Sequence, residues 1–517
     1  MPQLLGGHLS ATPLLTAAEA YPALERLFLG ARERLSLGFR IFDPGTRLRS
    51  PEALAVGRDW FDLVAHTLAR GVQVTIVISD FDAVVRPDYH QRATRCRRLL
   101  LAAGEASGRG DLLRVTAALH PARVGWLPSL VLWPRARDFL RNTARDLNAL
   151  RPHIRRRRRQ EMPLLEPYWI EHEDRGLRPR DFRLPRLTPV THHQKIAVAD
   201  GRMLYVGGLD LNERRWDTPE HRRPAEETWH DVQLLVEGPA AAEAERHLAT
   251  FLACVEGEVT PPRLPHLLRT LSRRRSLDLP FLSPMRLLTE LAEAHAEQSR
   301  AARNLIYLET QFFRDTRFAR SLAREARRKP ALQLVLILPA APDDVAFRGN
   351  TGSDARYGEF LQARCVGIIR RAFGPRLFIG SPAQPRAAEP TVTGRARLYG
   401  APLIYLHAKV SIFDDMAIVS SANLNGRSLA WDTETGVALT DLAQVDHLRR
   451  RCVAHWVGTA PVAPFLDPAG AVAAWRALAR ENARRAPERR VGFILPYVAT
   501  PARRFGWNLS GIPEEMV

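Results

Sequence analysis

THHQKIAVADGRMLYVGGLDLN, Thr191 to Asn212, holds a lysine in a chain that hardly uses one: among 75 basic residues in 517, only Lys195, Lys329 and Lys409 are not arginine. A drift toward arginine across the whole composition explains that default but not its exceptions. Two of the exceptions share one setting. HHQKIAVAD (His192–Asp200) is echoed by LHAKVSIFD (Leu406–Asp414) at an offset of 214, each giving His-x-Lys, four residues and Asp. Downstream, GGLDLNER (Gly207–Arg214) is echoed by SSANLNGR (Ser420–Arg427) at an offset of 213, so the second copy's turn is one residue shorter. One His-x-Lys means little; two with matched tails indicate duplicated architecture.

The echo continues upstream. The first half reads LSLGFRIF (Leu35–Phe42), a helix from Ser50-Pro51 to Arg70 with Ser50 as N-cap, then VQVTIVIS (Val72–Ser79). The second reads NLIYLE (Asn304–Glu309), a helix from about Asp315 to Lys329 with Phe318, Leu322 and Ala326 on one face, then LQLVLIL (Leu332–Leu338). Strand, helix, strand implies parallel pairing through a crossover. The expectation is an α/β protein of two similar halves, 1–260 and 261–517, each a mixed sheet flanked by helices. A pseudo-twofold axis relates them and the site lies at their junction.

From second strand to histidine the first half spans 114 residues and the second 69, which places an insertion near 115–180. It includes HPARVGWLPSLVLWP (His120–Pro134) and the run Arg155–Arg159. Such a run is either simply solvated or touches lipid head groups, where each basic residue adds ~1 kcal/mol at an anionic surface. Trp126 and Trp133 are then either interfacial anchors or core side chains.

In a strand, residues i and i+2 share a face, so His193 points with Lys195 and His407 with Lys409, while Ile196 and Val198 supply the opposite, buried face. Asp200-Gly201 suits a tight hairpin turn. Packed about a twofold, two imidazoles and two ammonium groups converge on one cavity suited to a phosphodiester, whose oxygens want compact positive charge; a guanidinium is longer, planar and forked. At an unperturbed imidazole pKa of ~6.5 one histidine is neutral and the other protonated near neutrality, which divides attack on phosphorus from proton donation to the leaving oxygen. Each imidazole needs a carboxylate behind it, and the candidates are Asp231 in TWHD and Glu434 in WDTE. Asp200 and Asp414, at turns, read as structural.

A net charge of +19 favours anionic partners: nucleic acid, a phospholipid surface or phosphate-bearing substrates. Cys96, Cys254, Cys365 and Cys452 lie far apart without a CxxC pair, which argues against a zinc ribbon or a disulfide scaffold. No signal peptide and no run approaching ~20 apolar residues is seen, so the expectation is a cytoplasmic protein, peripheral on the inner membrane if membrane-bound at all.

At these residues the sequence resembles the phospholipase D superfamily, whose hallmark is two HxKxxxxD motifs, each followed by a G-S-x-N-like segment. The resemblance runs from FRIFD (Phe39–Asp43) to ANLNGRSLAWDTE (Ala422–Glu434). GGLDLNERRWD, TWHDVQLLVEGP and YLETQFF (Tyr307–Phe313) look like the lipid-cleaving phospholipases D and their phosphatidyltransferase relatives rather than the short nucleases. It implies that His193 forms a phosphohistidine and His407 acts as general acid and then base, an order that the near-equivalence of the halves leaves reversible. It further implies that Lys195, Lys409, Asn423 and Ser421 hold phosphate, that Asp231 and Glu434 support the histidines, and that no metal or cofactor is required.

Two departures stand out. Asp210 occupies the place of Asn423 in the first copy, and a carboxylate cannot donate to phosphate, so it is left out of the binding set; Ser420-Ser421 replaces the usual Gly-Ser. The implied reaction opens a glycerophospholipid phosphodiester to phosphatidic acid or a head-group exchange product. The alternatives are cardiolipin synthase-type transfer to phosphatidylglycerol, a metal-independent nuclease, or a basic membrane-binding scaffold. Head group, acceptor and oligomeric state stay open.

Overall fold

Each motif aspartate begins a hairpin turn in left-handed backbone, Asp200 at φ 53° and Asp414 at φ 47°, a conformation aspartate tolerates better than most residues. In the computed structural model, which describes residues 9–172, 176–277 and 279–517, both carboxylates reach back to the central strand of their own sheet. Asp200 accepts from the backbone N–H groups of Arg32, Glu33 and Arg34, each at 2.9 Å. Asp414 accepts from those of Arg303 (2.6 Å), Asn304 (3.1 Å) and Leu305 (2.7 Å). Each carboxylate thus ties its hairpin turn to the start of the neighbouring strand. The hairpins differ as the spacing requires: Ala199 pairs with Met203 across three turn residues, whereas Phe413 pairs with Met416 across two.

Around each hairpin the chain builds a mixed sheet. The first has the order Ser10–Leu15, Val232–Glu237, Met203–Gly207, Lys195–Ala199, Arg34–Phe39, Gln73–Ser79, Leu113–Ala118. The last three strands are parallel, and Lys195–Ala199 is antiparallel to Arg34–Phe39. The second repeats this with Glu434–Leu439, Met416–Ser420, Lys409–Phe413, Leu305–Thr310, Gln333–Ile337 and Leu377–Pro382. It is extended at one edge by Leu268–Arg273 and Met285–Thr289 and at the other by Ile494–Pro496.

Helices flank both sheets, and the strict alternation of strand side chains sorts the cores. Ile196, Val198, Leu204 and Val206 meet Val410, Ile412, Ala417 and Val419 in one apolar cluster shared by the two sheets. Ala197, Ala199 and Tyr205 face the other way, toward the helices Thr16–Gly30 and Trp60–Ala69. Sharing one buried cluster lets the two motif strands, far apart in sequence, present their ends to one place.

The single helix expected from Ser50 to Arg70 is two. Ser50 Oγ caps Pro51–Leu54 by accepting from Ala53 N, as expected, but Asp59 then starts a fresh helix, Trp60–Ala69, by accepting from Phe61 N and Asp62 N. Gly57 sits between them where a Cβ would stand 2.1 Å from that of Asp62. The insertion forms the helices Trp126–Asn148 and Pro152–Gln160 with a small apolar cluster of its own that includes Leu140, Leu165 and Trp169. Among the described residues no helix is long and apolar enough to cross a membrane, and all four cysteines are free and buried.

Candidate active site

Where the sheets meet, two short parallel backbone bridges join them. His193 N donates to Thr433 O (2.9 Å) and Thr433 N to Thr191 O (3.0 Å); at the equivalent place His407 N donates to His230 O (2.8 Å) and His230 N to Tyr405 O (2.9 Å). The residue after each bridge is a carboxylate, so the partners are exchanged between halves. His193 Nδ1 meets Glu434 Oε1 at 2.9 Å, and His407 Nδ1 meets Asp231 Oδ2 at 2.6 Å. A carboxylate holds the proton on Nδ1 and leaves a lone pair on Nε2, the nitrogen each ring then offers to a cavity of about 330 Å³ that both histidines line.

The lysines do not line that cavity. Lys195 and Lys409 are buried beneath the imidazoles, and each ammonium donates to the backbone carbonyl of the histidine two residues before it. Lys409 Nζ also lies 2.8 Å from His407 Nδ1, whose one proton goes to Asp231. The charges of the two lysines act on both imidazoles at short range.

No family model matches the chain. It is 21% identical to phospholipase D beta 2 of Arabidopsis thaliana, in an alignment covering 49% of this chain and 40% of that protein. It is 21% identical to phospholipase D2 of Bos taurus, covering 50% and 38%. The chain spans less than half the length of the curated relatives it matches. Among solved structures, phosphatidylserine synthase of Haemophilus influenzae Rd KW20 aligns over 92% of this chain and 93% of that one, at 12% identity and a TM-score of 0.49. The chain is thus similar, over about half of its length, to members of the phospholipase D superfamily.

Two positions in the repeated tails lie off the cavity. Ser421, expected at phosphate, donates its hydroxyl to Glu434 Oε2 and has no exposed surface, a second hydrogen bond on the carboxylate behind His193; the residue standing where glycine is usual is Ser420. Asp210 accepts from Ile41 N at 3.1 Å and lies 4.0 Å from Lys195 Nζ and 3.7 Å from an Arg40 nitrogen, so it balances buried cations. Asn423 does line the cavity.

Sequence reasoning missed the arginines. Arg40, Arg215 and Arg427 line the cavity beside the histidines. Arg427 is held by Asp432 at 3.0 Å, and Arg215 lies 3.5 Å from the centre of the Trp229 ring, which packs 4.6 Å from the His407 ring. In a chain where arginine is the default cation, no compositional signal marks these three.

The electrostatics of the site are set by burial. Burial pushes both imidazoles well below the ordinary histidine range, His193 further by the charges of Lys195 and Arg40, His407 by those of Lys409 and Arg215. Before substrate binds, this favours the neutral form of both rings. Burial also raises Glu434 to about 8 and Asp231 to about 6, and pulls Lys409 down to about 7. All these shifts share one leading cause, desolvation, which disfavours whichever form of a group is charged.

Proposed function

We propose that the chain opens the phosphodiester of a glycerophospholipid in two displacements through a covalent phosphohistidine. His193 Nε2 attacks phosphorus; the N–P bond forms as the P–O bond to the head-group alcohol breaks, and His407 gives that oxygen its proton. Neutral His407 then takes a proton from water or an alcohol, whose oxygen attacks phosphorus and breaks the N–P bond. Water yields phosphatidic acid; an alcohol yields an exchanged phospholipid, and phosphatidylglycerol as acceptor makes the reaction cardiolipin synthesis.

The observation carrying this reading is the exchanged pairing, in which each imidazole on the shared cavity is backed by a carboxylate from the other half. The anionic substrate raises the pKa of His407 toward protonation as it binds. Arg40, Arg215 and Arg427 gather the phosphate oxygens from the cavity wall, and the lysines act from below.

Access to lipid falls to an apolar patch rather than to the basic run. Arg155, Arg157 and Arg159 are ion-paired with Glu171, Glu161 and Glu166, and Arg158 donates to Gln91, so four of the five arginines in this run already have partners within the protein. Trp126 is 53% exposed and Val131 80%, on the first turns of Trp126–Asn148, while Trp133 is half-buried. Leu127 N and Gly125 N donate to the carbonyls of Leu279 and Phe281, which brings the exposed Leu277, Leu279 and Phe281 alongside. This patch docks on the bilayer.

The test is incubation with mixed phospholipid vesicles and ethanol. Phosphatidic acid and phosphatidylethanol are expected together, and His193→Ala and His407→Ala each abolish both. Products that persist in either variant refute the roles. Nicking of supercoiled DNA in chelator, with no lipid product, replaces this reading with a nuclease; vesicle binding without turnover replaces it with a scaffold.

A further inference from the structure

Behind His407, outside the cavity, three other histidines meet. We propose that His221, His230 and His455 bind a divalent first-row transition metal ion, zinc in the first instance, which ties the two halves together and pins the segment that positions His407. One ligand nitrogen from each ring lies within 4.8 Å of the others, and His221 Nε2 is 3.0 Å from His455 Nε2. With Zn–N bonds of about 2.0–2.1 Å, ligand nitrogens stand about 3.3 Å apart in a tetrahedral site, so one pair is in place and the third needs a small ring movement.

The surroundings are those of a ligand set rather than of an ordinary buried core. Asp217 Oδ2 holds His221 Nδ1 at 2.6 Å and is itself fixed by Trp229 N at 2.7 Å. This places the proton on Nδ1 and aims the Nε2 lone pair into the cluster, as a carboxylate behind a metal-binding histidine does. His230, fully buried, has no hydrogen-bond partner on either ring nitrogen. Buried polar atoms are rarely left so. Glu309 Oε2, also buried and unpartnered, lies 3.5 Å from His230 Nε2, its other oxygen accepting from Tyr307 OH at 2.6 Å.

Two carboxylates thus stand ready to balance a doubly charged ion, and three imidazoles select zinc and its neighbours over magnesium or calcium. Trp456 and Phe493 pack round the rings and keep bulk water out, while His455, only partly buried, leaves a way in. Without an ion, the pair His221–His455 satisfies itself with one N–H···N bond and His230 gains nothing. His221 and His230 precede the second sheet and His455 lies on the helix Leu442–Val457. The carbonyl of His230 accepts from His407 N, and the next residue, Asp231, holds His407 Nδ1. The absence of a metal expected from the sequence concerned the reaction; this ion is structural.

The test uses the full chain without a histidine tag. Elemental analysis after dialysis is expected to find one zinc per chain, and cobalt substitution the visible d–d bands of a low-coordinate Co²⁺ ion. Removing the metal lowers Tm and adding Zn²⁺ restores it. Asp217→Asn weakens zinc binding about 10–100-fold, the usual cost of losing a carboxylate behind a histidine ligand; His455→Ala weakens it further; His172→Ala, at an exposed site, leaves it unchanged. A folded wild-type chain that takes up neither zinc nor cobalt, or His455→Ala that retains zinc undiminished, overturns the proposal and leaves a hydrogen-bonded histidine core. Metal content is read without turnover, so failure of the lipid reaction with zinc bound would sink the proposed function and leave this site standing.

Discussion

At the scale of single residues, the chemistry rests on what buried charge does to its neighbours. Asp231→Asn and Glu434→Gln keep the shape of the hydrogen bonds but remove the carboxyl charge that stabilises the imidazolium, so each should lower kcat about 10²–10⁴-fold with little change in KM, read with a soluble short-chain phospholipid. Lys195→Arg should fail as badly as Lys195→Ala, because a guanidinium has no room at a side chain with no exposed surface. Lys409 carries a stability cost with a definite sign. Its folded pKa is lowered to about 7, so between about 7 and the ordinary lysine value near 10.4 the unfolded chain binds the extra proton and stability rises with pH. The penalty is fully present below about 7. Lys409→Met should therefore stabilise the protein by about 1–4 kcal/mol at pH 6 and by less at pH 10, as denaturant melts will measure, while activity is lost.

Secondary-structure elements set how far the histidines can wander. Asp200→Asn and Asp414→Asn each weaken three backbone hydrogen bonds that tie a hairpin to its central strand, a loss of about 1–3 kcal/mol in stability. Activity per folded molecule should survive, which separates struts from catalysts. Burial works against the charge on Asp200, yet the bonds from Arg34, Arg32 and Glu33 hold its carboxyl below the usual range. That support is present above the ordinary aspartate pKa near 3.9 and is lost as pH falls through the lowered folded value. On the helix Trp126–Asn148, Trp126→Ser with Val131→Glu should weaken vesicle binding about tenfold or more, since burying one large apolar side chain is worth roughly 1.5–3 kcal/mol. Turnover of a soluble short-chain phospholipid should be unchanged, and cosedimentation measures the first.

For the whole molecule, the exchange of carboxylates makes the two halves interdependent. Residues 1–260 contain His193 without Glu434, and residues 261–517 contain His407 without Asp231, so either segment alone should be inactive. Co-expression should restore turnover only if the segments associate through the apolar cluster that both sheets share. Turnover by one segment alone would mean that an imidazole does not need its partner's carboxylate.

Much of this architecture was legible in the chain itself. Lysine is so scarce that its two appearances inside a repeated His-x-Lys exposed the duplication, and the one-residue difference in spacing reappears as a three-residue and a two-residue turn. Strand alternation turned Ile196 and Val198 to the face that both sheets share, because such preferences are local and carried by neighbouring atoms. The rest was beyond reach for an equally physical reason. Which carboxylate serves which histidine, whether Ser421 faces phosphate or Glu434, that Arg40, Arg215 and Arg427 rather than the lysines line the cavity, and how far burial lowers both imidazoles all depend on groups hundreds of residues apart. Only tertiary packing brings those together, since desolvation and Coulomb interactions act through space and leave no periodicity in the sequence.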